Sequence, residues 1–127
     1  MTICSDVKKV STKGESMNPQ LLREIDNLHA NLCEALADPK RIAILYALRE
    51  DATTVNHLAE MLETSQATVS RHLKILRERH LVWWRRDGMN VYYSLSNHRV
   101  LQALDLLREV LNEDLAYGAK LAQVIGE

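Results

Sequence analysis

The chain has 127 residues, 46% of them hydrophobic, and a formal net charge of −1. That is material for one compact domain and not for a second. No apolar run reaches membrane-spanning length, no signal-peptide core opens the chain, and Cys4 and Cys33 alone make no secreted disulfide framework, so a cytosolic protein is expected.

Residues 1–17 are polar, mixed in charge and unpatterned, and read as a flexible tail ahead of a single domain over residues 18–127. Asn18-Pro19 has the form of an N-cap and first helical position. It opens a helix with Leu22, Ile25, Leu28, Leu32 and Leu36 along one side. That helix is expected to run to Asp38-Pro39, where a second begins and continues to Arg49. Val55, Leu58, Ala59 and Leu62 mark a short third helix. Glu63-Thr64-Ser65 breaks the pattern, and Ser65 caps a fourth helix from Gln66. There Val69, Leu73 and Leu76 fall at i, i+4, i+7 and pack inward. The opposite face carries Ala67, Ser70, Arg71 and Lys74, with Gln66 near its start.

A hairpin follows. Residues 81–86 and 91–95 are rich in β-branched and aromatic side chains, and residues 87–90 supply a turn built on Asp87-Gly88. Val91, Tyr93 and Leu95 are expected to face inward, Tyr92 and Ser94 outward. Helix, turn, helix and hairpin in this order predict a winged helix-turn-helix: mainly α, one small β-hairpin, and long terminal helices. Small residues let the fourth helix sink into a major groove, and Gln66, Ser70 and Arg71 carry groups that bond base edges or phosphates. Between Gln66 and Arg86 stand six basic residues against one acid, Glu78, a local charge of +5. Basic character confined to one face suits a polyanion, with Arg85 and Arg86 beside the wing tip. Each of these residues alone would fit an ordinary solvated surface; their coincidence with the turn and the hairpin is what points to DNA.

Ser96 is expected to cap a last helix carrying Leu101, Leu104, Leu107, Leu111 and Leu115. So small a winged core cannot cover both terminal helices. A second copy of the chain is the simplest cover, and a two-fold dimer presents two reading helices to an inverted repeat in double-stranded DNA.

Three linked stretches carry a family resemblance: Leu36-Ala-Asp-Pro-Lys-Arg-Ile-Ala-Ile-Leu45, Ser65-Gln-Ala-Thr-Val-Ser-Arg-His-Leu-Lys74, and the wing with Arg86-Asp-Gly88 and Val91-Tyr-Tyr93. Over roughly residues 20 to 112 the chain resembles the ArsR/SmtB family of bacterial repressors. The resemblance implies a homodimer that occupies an operator and leaves it when an inducer binds. It places Gln66, Ala67, Ser70 and Arg71 against DNA, with Arg86 as the wing arginine. The family's two standard metal sites do not carry over. The Cys-x-Cys positions read Thr54 and Asn56; the other site reads Asn97, Arg99, Val110 and Glu113, leaving one carboxylate where Zn²⁺ takes about four ligands. No metal or other cofactor is therefore expected. His57 and His72 read as structural hydrogen-bonding residues, His80 as a helix-end residue and His98 as a surface or capping residue.

The sulfurs remain. Cys33 lies four residues after His29 on one helical face, and an imidazolium there would activate it; the same face carries Leu22, Ile25 and Leu36, so an inert packed thiol is the competing reading. Cys4, on the tail, is the candidate partner for a disulfide or polysulfide bridge or a bound metalloid such as arsenite. Family members that sense arsenic, metals or reactive sulfur use cysteines at varied positions, which makes a small inducer acting on Cys4 and Cys33 a reading by analogy. Two further readings stand beside this one: a repressor with no thiol sensing, and a winged module that binds protein, which calls for apolar residues where Ser70, Arg71 and Lys74 stand. No Gly-rich phosphate loop or nucleophile elbow is present, so no enzyme is expected.

Overall fold

Asn18 opens the first helix as the sequence predicts, its side-chain oxygen accepting the Gln20 N–H at 2.8 Å with Pro19 at the first helical position. The computed structural model describes residues 16–125. The expected tail, but for Ser16 and Met17, and with it Cys4, lies outside them. The chain forms two compact units, Met1–Glu34 and Ala35–Glu127.

In the first unit, helix α1 (Pro19–Leu28) passes into one π-helical turn over His29–Cys33. The wider turn is closed by the Glu34 N–H donating to the His29 carbonyl at 3.0 Å. The helix ends at Cys33, short of the predicted Asp38. Leu21, Leu22, Ile25 and Leu28 are all exposed, as is Cys33.

The second unit opens with helix α2 (Pro39–Ala47), capped by Asp38, whose carboxylate accepts the Lys40 N–H at 2.8 Å. Helices α3 (Val55–Leu62) and α4 (Gln66–Glu78) make the helix-turn-helix, followed by strands β1 (Val82–Asp87) and β2 (Asn90–Leu95) and by helix α5 (Arg99–Ile125). The core joins Ile44, Leu45 and Leu48 from α2, Leu58 from α3, Val69, Leu73 and Leu76 from α4, Val82 and Leu95 from the hairpin base, and Leu101 and Leu104 from α5. Each such side chain contributes about 1.5–3 kcal/mol by leaving water.

Both helices of the helix-turn-helix stop in the same way. At the end of α3, Thr64 N–H reaches the Ala59 carbonyl at 3.0 Å and Glu63 N–H the Glu60 carbonyl at 3.2 Å. At the end of α4, Leu81 N–H reaches Leu76 at 2.9 Å and His80 N–H reaches Arg77 at 3.0 Å. These are Schellman motifs, with Glu63 (φ 52°) and His80 (φ 61°) in the left-handed conformation usually given to glycine. His80 thus closes the helix with its backbone, and the apolar contact that accompanies the motif comes from buried Leu76 and Leu81.

The strands pair antiparallel from Val82↔Leu95 to Asp87↔Asn90. The loop is therefore two residues, Gly88 and Met89, and not the four-residue turn over 87–90. Gly88 takes φ +64° while Met89 does not, the pattern of a turn with glycine in its first central position. The expected alternation in β2 does not appear: residues 91–94 are all half-buried and only Leu95 is buried. Both faces are partly covered because Arg85 lies over Tyr92, and the outer edge at Tyr93 is bonded in both directions to Thr53, at 3.0 and 2.7 Å.

Asn97, not Ser96, caps α5, its side chain accepting the Arg99 N–H at 2.9 Å. Ser96 instead donates to the His80 carbonyl at 2.7 Å, tying the exit of the hairpin to the end of α4. The stripe on α5 divides: Leu104 is in the core, while Leu107, Leu111 and Leu115 are exposed.

Candidate nucleic-acid interface

Ser65 positions α4, its hydroxyl accepting the Thr68 N–H at 3.1 Å. From that cap onward the side chains separate by period. Val69, His72, Leu73 and Leu76 are buried; Gln66, Ala67, Ser70, Arg71 and Lys74 are exposed together on the opposite side. The helix thus offers solvent a face of small and hydrogen-bonding residues, with no large apolar side chain among them.

His72 holds this helix against α2. Arg41 Nη1 lies 3.2 Å from His72 Nδ1, and Arg41 Nε donates to the Ala35 carbonyl at 2.6 Å. A guanidinium only donates, so Nδ1 accepts and the ring is neutral. Burial pushes the His72 pKa below its ordinary value; Asp38 pulls it up, and Arg41, Arg71 and Lys40 push it further down. The structural role expected of His72 is what its 6% exposure and this bond describe.

The wing continues the exposed surface. Successive strand residues point to opposite faces, so Arg85 and Arg86 leave the hairpin on different sides. Arg85 is stacked over the Tyr92 ring at 5.5 Å. The Arg86 side chain makes no hydrogen bond, ion pair or ring contact among the described residues. Arg77, from the last turn of α4, lies over the Trp84 ring at 5.2 Å and joins helix to wing. Trp83 and Trp84 are exposed, as is Met89 at the tip. The sequence reading used the tryptophans only as strand formers. Adjacent tryptophans in a two-stranded hairpin necessarily put one on each face, and that was the signal available.

A second cluster fixes the start of α5. Asp105 accepts from the Tyr46 hydroxyl at 2.7 Å, Arg49 at 2.7 Å and Arg108 at 3.3 Å, and both guanidiniums lie over the Tyr46 ring. The Tyr46 bond, then Arg49, holds the Asp105 carboxyl below the usual carboxylate range. His98 Nε2 sits 3.2 Å from the Arg49 carbonyl. The spacing from Tyr46 to Asp105, 59 residues, gave no local pattern by which the sequence shows this cluster.

The positions that carry metal ligands in the resembling family have other work here. Thr54 caps α3 by accepting the His57 N–H at 3.3 Å, and Asn97 caps α5. Among the described residues no three His, Cys, Asp or Glu side chains gather in a way that would hold a metal ion. No helix among them is long and apolar enough to cross a membrane.

Comparison with known proteins agrees with this architecture. Residues 38–82 match the model of the family described as bacterial regulatory protein, arsR family. The chain is 36% identical over 96 residues to the nodulation protein NolR of Rhizobium meliloti, covering 76% of this chain and 79% of that one. It is 43% identical over 81 residues to a transcriptional repressor SmtB homolog of Synechocystis, covering 64% of this chain and 59% of that protein. Among solved structures it is similar to a homodimeric winged helix-turn-helix DNA-binding domain from Mycobacterium bovis, a possible ArsR-family regulator. That match has a TM-score of 0.66 and 26% identity, over 82% of this chain and 95% of that one. Fold, reading helix, wing and relatives converge: the chain belongs to the arsR family of bacterial regulatory proteins, winged helix-turn-helix DNA-binding transcription regulators and not enzymes.

Proposed function

We propose that the protein is a cytoplasmic homodimeric repressor that binds an inverted-repeat operator and leaves it when an inducer acts. The observation that carries this reading is the division of α4, whose apolar side chains are buried while Gln66, Ala67, Ser70, Arg71 and Lys74 are exposed on one face. These five enter the major groove, where Gln66 and Arg71 offer bidentate groups to base edges. Arg85 and Arg86 meet the backbone beside it. The apolar side chains left exposed on α1 and on α5 are the surfaces through which residues 18–127 act as one dimerising domain. A gel shift against the DNA upstream of the protein's own coding region tests this. Specific retention that the Arg85→Ala/Arg86→Ala double variant weakens, with a flatter salt dependence, is expected. Absence of binding by the wild-type dimer would overturn the reading in favour of a protein-binding winged module.

Release acts through thiols in this reading. Its support is the exposure of Cys33 in the π-helical turn of the protomer. Cys4 is the proposed partner. Persulfide, oxidant or arsenite should lower operator affinity in the wild type and not in Cys33→Ser, and Cys4→Ser should blunt the response. Equal DNA binding by reduced and oxidised protein would leave a repressor without thiol sensing.

A further inference from the structure

We propose that Met89 is a wedge: on the operator, the wing tip inserts this side chain into the minor groove beside the half-site and bends the duplex there. The inference rests on the repressor reading and adds a residue and a mode of contact to it. Met89 is 96% exposed, the most exposed of the large apolar side chains among the described residues. The turn does not require it. Gly88 alone supplies the positive φ, and Met89 adopts none that would call for a particular residue. A long, unbranched apolar side chain held wholly in water stabilises nothing in the free protein; it gains only where something covers it.

The surroundings say what covers it. In the second residue pair below the tip stands Arg86, and in the third Arg85, on the opposite face of the hairpin. An apolar apex with the Arg86 guanidinium on one face, and the Arg85 guanidinium held over Tyr92 on the other, suits a groove walled by phosphates. The other flank of the tip is a cleft of about 190 Å³ lined by Thr54, Val55 and Asn56 from the start of α3 and by Met89, Asn90 and Val91, so tip and helix start meet a ligand together. The hairpin is also anchored firmly enough to push. Val82 and Leu95 are buried at its base, Thr53 bonds the β2 edge in both directions, and the Ser96–His80 bond fixes its exit to the end of α4. The tip is therefore held at a fixed place relative to the reading helix. Methionine is among the apolar side chains that unstack a base step from the minor groove, and pyrimidine–purine steps open with least cost.

The experiment uses the full chain and a duplex that the wild type selects from a randomised pool. Bend is read by energy transfer between the duplex ends, and unstacking by 2-aminopurine at the step under the wing. Wild type should bend the duplex and raise the 2-aminopurine signal. Met89→Ala should lose most of both and bind about five- to tenfold more weakly, while Met89→Leu stays close to wild type. The salt slope should not change, since no charge is removed. Both variants keep the fold, because the side chain touches no core residue. Equal bend and equal 2-aminopurine signal in wild type and Met89→Ala would overturn the wedge while leaving the repressor reading intact. If the wild type selects no duplex, both fall together.

Discussion

Helices α4 and α5 are both amphipathic, yet the chain completes one and leaves the other open. In α4, 13 residues long, every large apolar side chain meets the protein's own core or its edge, and what remains outside is polar. In α5, 27 residues long, Leu101 and Leu104 are buried and the exposed residues include Leu106, Leu107, Val110, Leu111, Leu115 and Tyr117. A helix of that length extends about 40 Å, well past what a small winged core covers. The difference separates two kinds of surface: a polar face that is complete in itself, and an apolar face that the winged core leaves uncovered.

The sharpest way to break this comparison is to attack both helices with changes aimed at their leucines. Leu73→Ala should cost about 2–5 kcal/mol of stability in urea unfolding, the usual range for a leucine deleted from a packed core. Leu111→Glu, at a position 57% exposed, should leave the winged core folded and convert dimer to monomer in sedimentation, with operator binding lost alongside. Leu104→Glu does not serve for this purpose, since Leu104 is 7% exposed and a charge there unfolds the chain. If Leu111→Glu unfolds the protein or leaves the dimer intact, the two faces are not of different kinds.

The finished face has its own test. Arg71→Ala and Gln66→Ala should each weaken specific binding by about 1–3 kcal/mol, with dimerisation and thermal stability unchanged. Titration of each variant against the selected operator measures it, and wild-type affinity in both would mean that this side of α4 does not meet bases.

The fold was legible wherever the determining pattern was local. The caps at Asn18 and Ser65, the start of α2 at Pro39, the 3.6-residue period of α4 and the β-rich arms of the hairpin all lie within a few residues of what they determine. What stayed hidden depends on partners far along the chain. Arg41 meeting His72 and Tyr46 meeting Asp105 link positions 31 and 59 residues apart. The division of the α5 stripe at Leu104 depends on where the core ends, which periodicity does not report. Cys33 shared a helical face with leucines and so read equally as buried, but α1 has no buried residue at all. Within the candidate interface the identity of the exposed residues was readable, while the opposite directions of Arg85 and Arg86 required the register.

The setting of α4 also predicts a pH response that α5 does not share. His72 is buried, with a pKa below the ordinary value of about 6.5, and is bonded to Arg41 only while neutral. Above that value His72 is neutral both folded and unfolded, and its contribution is fully present. As pH falls below about 6.5, the unfolded chain takes the proton first and stability is lost, down to the folded pKa. Asp38, Arg41, Lys40 and Arg71 are the charges that act on the ring. The lowered carboxyl pKa values of Asp38 and Asp105 act in the same direction, but in a window below that of ordinary carboxylates. Urea unfolding from pH 7.5 to 5.5 should therefore show a slope that His72→Gln reduces, since an amide keeps an acceptor for Arg41 and does not titrate. An unchanged slope in that variant would show that His72 does not carry the response.

The smallest expected effect concerns how α4 is bracketed. Glu63 and His80 both sit at positive φ, where a side chain with a Cβ is strained and glycine is not. Replacing either with glycine relieves the strain but adds freedom to the unfolded chain, so the net gain should be no more than about 1 kcal/mol each. The two variants differ in what else they touch. Glu63 lines the same surface cleft as Glu60, Ser65 and Gln66, so its carboxylate stands beside the start of the reading helix. Glu63→Gly removes a negative charge there and should raise DNA affinity at low salt as well as stability. At His80, with its exposed ring and its carbonyl held by Ser96, the change should raise stability alone. Melting curves and operator titrations on the two variants separate these outcomes. Equal affinity changes in both would show that backbone relief around α4, and not the charge at Glu63, governs how the helix meets DNA.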